Sequence, residues 1–134
     1  LAAREVERSI LLAIDLIERA MDAHISNARD EFELEVWKAS SETEYATFLL
    51  SRFRAGNDDS WKKETEKIAR SGFGLALTSA QELLREAASS LASDLEVAYA
   101  KTWKARGHLL TIQEALEREK VVEARARSGH SASP

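Results

Sequence analysis

Apolar residues recur along the first part of the chain at intervals of four and three: Ile10, Ile14, Ile17, Met21, Ile25, Ala28, Phe32, Val36 and Ala39. The spacing averages close to the 3.6 residues of a helical turn and repeats every eleven. It predicts an amphipathic α-helix with little supercoil, not a strand. Neither Gly nor Pro occurs between Leu1 and Ala55, so the pattern predicts one helical tract over residues 1–54. "KASSETE", Lys38 to Glu44, is its expected weak point, because Ser41 and Glu44 have capping-box spacing.

"AGNDDSW", Ala55 to Trp61, carries the strongest turn signals. Gly56 suits the left-handed position after a helix end, and Asn57, Asp58, Asp59 and Ser60 all offer N-cap oxygens. A short turn at 55–60 sends the chain back antiparallel into a second tract over residues 60–127. There the spacing alternates between four and three through Leu84, Ala88, Leu91, Leu95, Ala98, Thr102, Ala105, Leu109, Ile112 and Leu116. That is a heptad seam, and its phase passes Gly107 without a slip. After Val122 the pattern fails, and residues 128–134 read as a frayed polar tail. The expected fold is therefore all-α: a long antiparallel hairpin or coiled coil forming a single domain over residues 1–127.

One stretch departs from this texture. "SGFGLALTSA", Ser71 to Ala80, has no charged residue and holds Gly72 and Gly74 two positions apart. The helical phase nearly survives across it. Two closely spaced glycines and two capping-box pairs, Thr78 with Gln81 and Ser79 with Glu82, argue for a joint near 71–79 centred on Gly72, Phe73 and Gly74. A hairpin turning at 55–60 would set residues 71–74 level with 40–43, close to Val36, Trp37 and Tyr45. The stretch lacks the third glycine of a dinucleotide fingerprint, since Leu77 stands in that place, and no strand precedes it.

Composition narrows the function classes. The chain of 134 residues has no cysteine, which excludes disulfides and thiolate chemistry and fits a cytoplasmic protein. No apolar run approaches the roughly 18 to 20 residues of a membrane span; "ILLAIDLI" is short and contains Asp15. Leu1 stands where an initiator Met would, so an excised piece of a longer protein is expected. The formal net charge is -4, unevenly spread. Residues 1–60 hold seven basic and thirteen acidic groups, and residues 61–134 hold twelve basic and ten acidic groups. The two halves can fold against each other with favourable long-range electrostatics. The basic excess of the second half is too small to predict a nucleic-acid surface.

His24, His108 and His130 lack the spacings of helix-borne metal sites, so neither a metal nor a cofactor is expected. His24, at the edge of the core stripe, reads as a core-boundary residue making one hydrogen bond. The carboxylates read as solvated helix faces, and no nucleophile or phosphate-loop motif occurs. The expectation is a non-enzymatic interaction or scaffold module.

The apolar surplus points the same way. Trp37, Trp61 and Trp103, with four phenylalanines, exceed what a two-stranded seam can use. Leu11, Leu12 and Leu16 lie outside the main stripe of the first tract. Either the hairpin folds again into a bundle, or two chains associate into a four-helix assembly. Association is the preferred expectation: a homo-oligomer that also binds protein partners, with Leu11, Leu12, Leu16, Trp37 and Trp103 at the interface. A ligand-sensing bundle with a pocket near residues 71–80 is the alternative. A second alternative is peripheral membrane or nucleic-acid binding through Arg118, Lys120, Arg125 and Arg127, which Glu117, Glu119 and Glu123 interrupt.

Overall fold

The computed structural model describes residues 2–55 and 72–131. Among these the chain forms four helices: α1 (Ala2–Ile25), α2 (Arg29–Ala55), α3 (Phe73–Ser90) and α4 (Leu95–Ser131). Of the expected turn at 55–60, Ala55 ends α2, and residues 56–60, with Trp61, lie outside the described residues. Helix α1 packs on α2, α2 on α3, α3 on α4, and α4 closes the ring against α1. The all-α reading holds, and the described residues form a helical bundle within one chain.

Among the described residues each long tract is interrupted by a reversal at a place the periodicity did not mark. The first breaks at Ser26–Ala28. Asn27 adopts φ 59°, a left-handed conformation that Asn tolerates better than most residues. The Ala28 N–H donates to the Ala23 carbonyl at 2.8 Å, and the Asn27 N–H donates to the His24 carbonyl at 3.1 Å. These two bonds form a Schellman motif with Asn27 in the place usually taken by Gly, and they satisfy carbonyls that a helix end leaves open. Asp30 and Glu31 then stand in the first turn of α2, favourable at the positive end of its dipole.

The second break is at Leu91–Asp94. The Asp94 Oδ1 accepts hydrogen bonds from the N–H groups of Glu96 (3.1 Å) and Val97 (3.2 Å), which caps α4. By contrast, α2 runs unbroken through Lys38–Glu44, so the expected weak point is ordinary helix. Thr43, fully buried there, donates its hydroxyl hydrogen to the Ala39 carbonyl at 2.8 Å and needs no other partner.

Each broken tract becomes an antiparallel hairpin, and the core is their shared face. At one end Val6 and Ile10 of α1, Leu49 and Leu50 of α2, Phe73 and Leu77 of α3, and Leu109 and Ile112 of α4 pack together. At the other end Ala20 and Ala23, Phe32 and Val36, Ala87 and Ala88, Leu91 and Ala98 meet. The helices therefore run up, down, up and down. The second cluster is rich in alanine, which lets the helix backbones approach closely around Phe32 and Val36.

This register corrects the predicted alignment of the two arms. Phe73 stands level with Leu50, not with residues 40–43, and Val36 stands level with Ala87 and Leu91. Gly72 has φ 77° and occupies the N-cap position of α3 without a side-chain cap. Phe73 is buried, and Gly74 lies inside the first helical turn. Among the described residues of the expected joint, only Gly72 departs from helix, and Ser71 lies outside them. Helix α3 continues through Thr78 and Ser79, and the Thr78 hydroxyl bonds back to the Gly74 carbonyl at 2.8 Å.

The expected charge complementarity appears as ion pairs between α1 and α4. Glu18 meets Arg106 at 3.3 Å, and Glu7 meets Lys120. Glu86 of α3 and Lys101 of α4 add a pair at 2.7 Å.

Candidate functional site

Helix α2 has two apolar faces. Phe32, Val36, Ala39, Thr43, Ala46 and Leu50 point into the bundle. Leu34, Trp37, Tyr45 and Phe48 follow the same helical spacing about 180° away, where they are 52, 56, 47 and 55 % exposed. At a rise of 1.5 Å per residue, the outer stripe from Leu34 to Phe48 is about 21 Å long. Ser41 sits at its middle, the only position in the stripe with a small polar side chain.

Beside this stripe runs a groove of about 430 Å³ between α1 and α2, lined by Leu12, Leu16, Trp37, Lys38, Ser41 and Glu42. Leu12 is partly exposed at its rim, whereas Leu16 is 5 % exposed and belongs to the core. Leu16 is therefore floor, not free surface, which corrects its reading as a residue outside the buried stripe. It is buried because the short Ser26–Ala28 turn lays α2 against that flank of α1.

The other two predicted interface residues are elsewhere. Leu11 lies on the flank of α1 that carries Glu7 and Glu18, the side turned toward α4. Trp103 is exposed on α4, with the Arg106 guanidinium 5.6 Å from its ring centre, and Arg106 is itself held by Glu18. The structure thus joins Leu12, Leu16 and Trp37 and leaves Leu11 and Trp103 apart from them. Leu34, Tyr45 and Phe48 complete the apolar surface. Their signal was a second helical period in α2, running opposite the first.

Residues 72–80 do not face Trp37 or Tyr45, because those side chains point away from the core. The void beside it, lined by Val6, Ile10, Leu50, Phe73, Leu77 and Ile112 among others, has a volume of about 10 Å³. That is roughly the room of one water molecule, too small for a metabolite. Its largely apolar walls also offer a water few partners.

His24 is half-buried at the alanine-rich end, between Tyr99 (ring centres 4.3 Å apart, stacked) and Phe32 (5.2 Å, tilted). His108 is exposed. Among the described residues no cluster of three His, Asp or Glu side chains is arranged to hold a metal ion, and no helix is long and apolar enough to cross a membrane. Of the basic residues near the end of α4, Lys120 is engaged by Glu7 and Glu117. These two carboxylates, Glu7 first, hold the Lys120 ammonium above its ordinary pKa.

No family model, curated protein or solved structure matches this chain.

Proposed function

We propose that this chain is a non-enzymatic helical interaction module that self-associates and presents an apolar surface to protein partners. The observation that carries the reading is the second apolar face of α2, with Leu34, Trp37, Tyr45 and Phe48 exposed and directed away from the core that the described helices form. A bundle that only had to fold would place polar residues there. An exposed aromatic stripe beside a groove is the composition of a binding surface, where aromatic anchors dominate the energetics. Complete removal of each such side chain from water contributes roughly 1.5–3 kcal/mol. A cytoplasmic setting, where a chain without cysteine has no disulfide to lose, is part of the same proposal.

Sedimentation velocity across about 5–200 µM tests it. A concentration-dependent shift from monomer to a larger species is expected, and Trp37→Ser should move that shift to higher concentration while leaving the helical circular-dichroism signal intact. A wild-type chain that stays monomeric throughout overturns self-association.

A further inference from the structure

The outer face of α2 sets its apolar residues at equal distances on either side of Ser41 and ends in opposite charges. Trp37 and Tyr45 lie four residues to either side, Leu34 and Phe48 seven, and Asp30 and Arg52 eleven. Four, seven and eleven residues are one, two and three turns of helix, so all seven positions share one face. That face is exposed along its whole length, and Asp30 and Arg52 make no ion pair among the described residues.

We propose that this face binds a second copy of the same chain, with two α2 helices packed antiparallel across a two-fold axis at Ser41. The inference rests on the self-association reading above and specifies its geometry. In this arrangement Trp37 of one copy stands level with Tyr45 of the other, and Leu34 with Phe48. Asp30 stands level with Arg52 of the second copy, once at each end of the contact. A two-fold interface requires such self-complementarity, because every pairing occurs twice. The acid at one end and the base at the other favour the antiparallel dimer and oppose the parallel one, which would set like charges side by side. Ser41 has the smallest side chain of the stripe and sits where the axes are closest, which permits near approach of the backbones. The groove beside Trp37, floored by Leu16 and edged by Leu12, gives the partner's large rings room at the margin of the contact.

The chain has no cysteine, so Ser41→Cys introduces one thiol per copy. On the axis the two thiols come within disulfide reach, which requires Cα atoms about 4.4–6.8 Å apart. Mild oxidation of Ser41→Cys should give a covalent dimer with the hydrodynamic size of the wild-type dimer. Trp103→Cys under the same oxidation should not.

Charge exchange tests the register independently. Asp30→Arg and Arg52→Asp alone should each raise the dimer dissociation constant on the order of ten-fold at low salt, because each disturbs two symmetric pairs. The double exchange should restore it. A dimer that cross-links through Trp103→Cys but not Ser41→Cys overturns the α2 axis and leaves self-association standing. So does a double exchange as weak as the single variants. A chain that never dimerises overturns both.

Discussion

The imidazole of His24 stacks on the phenol ring of Tyr99, with centres 4.3 Å apart and planes 19° from parallel. The contact joins the last turn of α1 to the first turns of α4. Phe32 of α2 tilts against the same imidazole at 5.2 Å. Three helices are thus tied at the alanine-rich end, where small core residues supply little apolar area of their own. A double-mutant cycle with His24→Ala and Tyr99→Ala should give a coupling of about 0.5–1.5 kcal/mol, the range of stacked aromatic pairs. Urea denaturation of the four proteins measures it. Strict additivity would remove the stack as a stabilising element.

Asn27 holds the first break open at φ 59°. Glycine bears that angle without strain, so Asn27→Gly should be neutral or mildly stabilising. Asn27→Val should cost about 1–2 kcal/mol, because a β-branched side chain is poorly tolerated in the left-handed region. The comparison is read from denaturation midpoints at unchanged slope. Equal midpoints for both variants would show that the turn does not depend on this residue.

Gly72 and Gly107 should respond in opposite directions to the same change. Neither has an atom within 4 Å of the place an added Cβ would take, so space does not decide the outcome. Backbone conformation does. Gly72 has φ 77°, and Gly72→Ala should destabilise by about 1–2 kcal/mol. Gly107 lies inside α4, and Gly107→Ala should stabilise by about 0.4–1 kcal/mol. Thermal or urea midpoints separate the two, and a shared sign would contradict the assignment.

Lys120 gives a pH dependence of known sign. Glu7 holds its ammonium above the ordinary value of 10.5 in the folded chain. The folded state therefore binds this proton more tightly than the unfolded state does. The resulting stability is fully present below pH 10.5 and is lost as pH rises through the raised folded value. Lys120→Met should lower the thermal midpoint slightly at pH 8, and the difference from wild type should shrink as pH climbs past that range. A difference that stays constant would show that the Lys120 charge contributes nothing. High salt should shrink the pH 8 difference too, since the ammonium is solvent-exposed.

Most of the core was legible from spacing. Ile10, Ile14, Ile17, Phe32, Val36 and Ala39 are buried, as are Leu84, Ala88, Leu91, Ala98, Thr102, Ala105, Leu109 and Ile112. The breaks were not legible from spacing, for the same reason that the core was. Ala28 to Phe32 and Leu91 to Ala98 keep the four-and-three rhythm across each turn, because both helices of a hairpin must aim their apolar face at one core. A periodic pattern therefore passes through a reversal without a mark. Ile25 is the small sign that it did: it fits the rhythm and yet is exposed beside Asn27. The local chemistry did carry signals, with Asn27 as a left-handed terminator and Asp94 as a cap. Each is a one-residue cue against a background of strong helix formers.

The sequence alone determined that the chain is helical and which stripe of each tract is buried, since both depend on neighbours three and four residues apart. Tertiary structure decided the reversals at Ser26–Ala28 and Leu91–Asp94, that the four described helices meet in one bundle, and that Phe73 lies level with Leu50. It also decided which of the surplus apolar residues stay outside. Leu16 and Leu12 are one turn apart on α1, and only the placement of α2 makes one core and the other rim. That placement depends on contacts between residues distant in sequence, and helical periodicity carries no information about them.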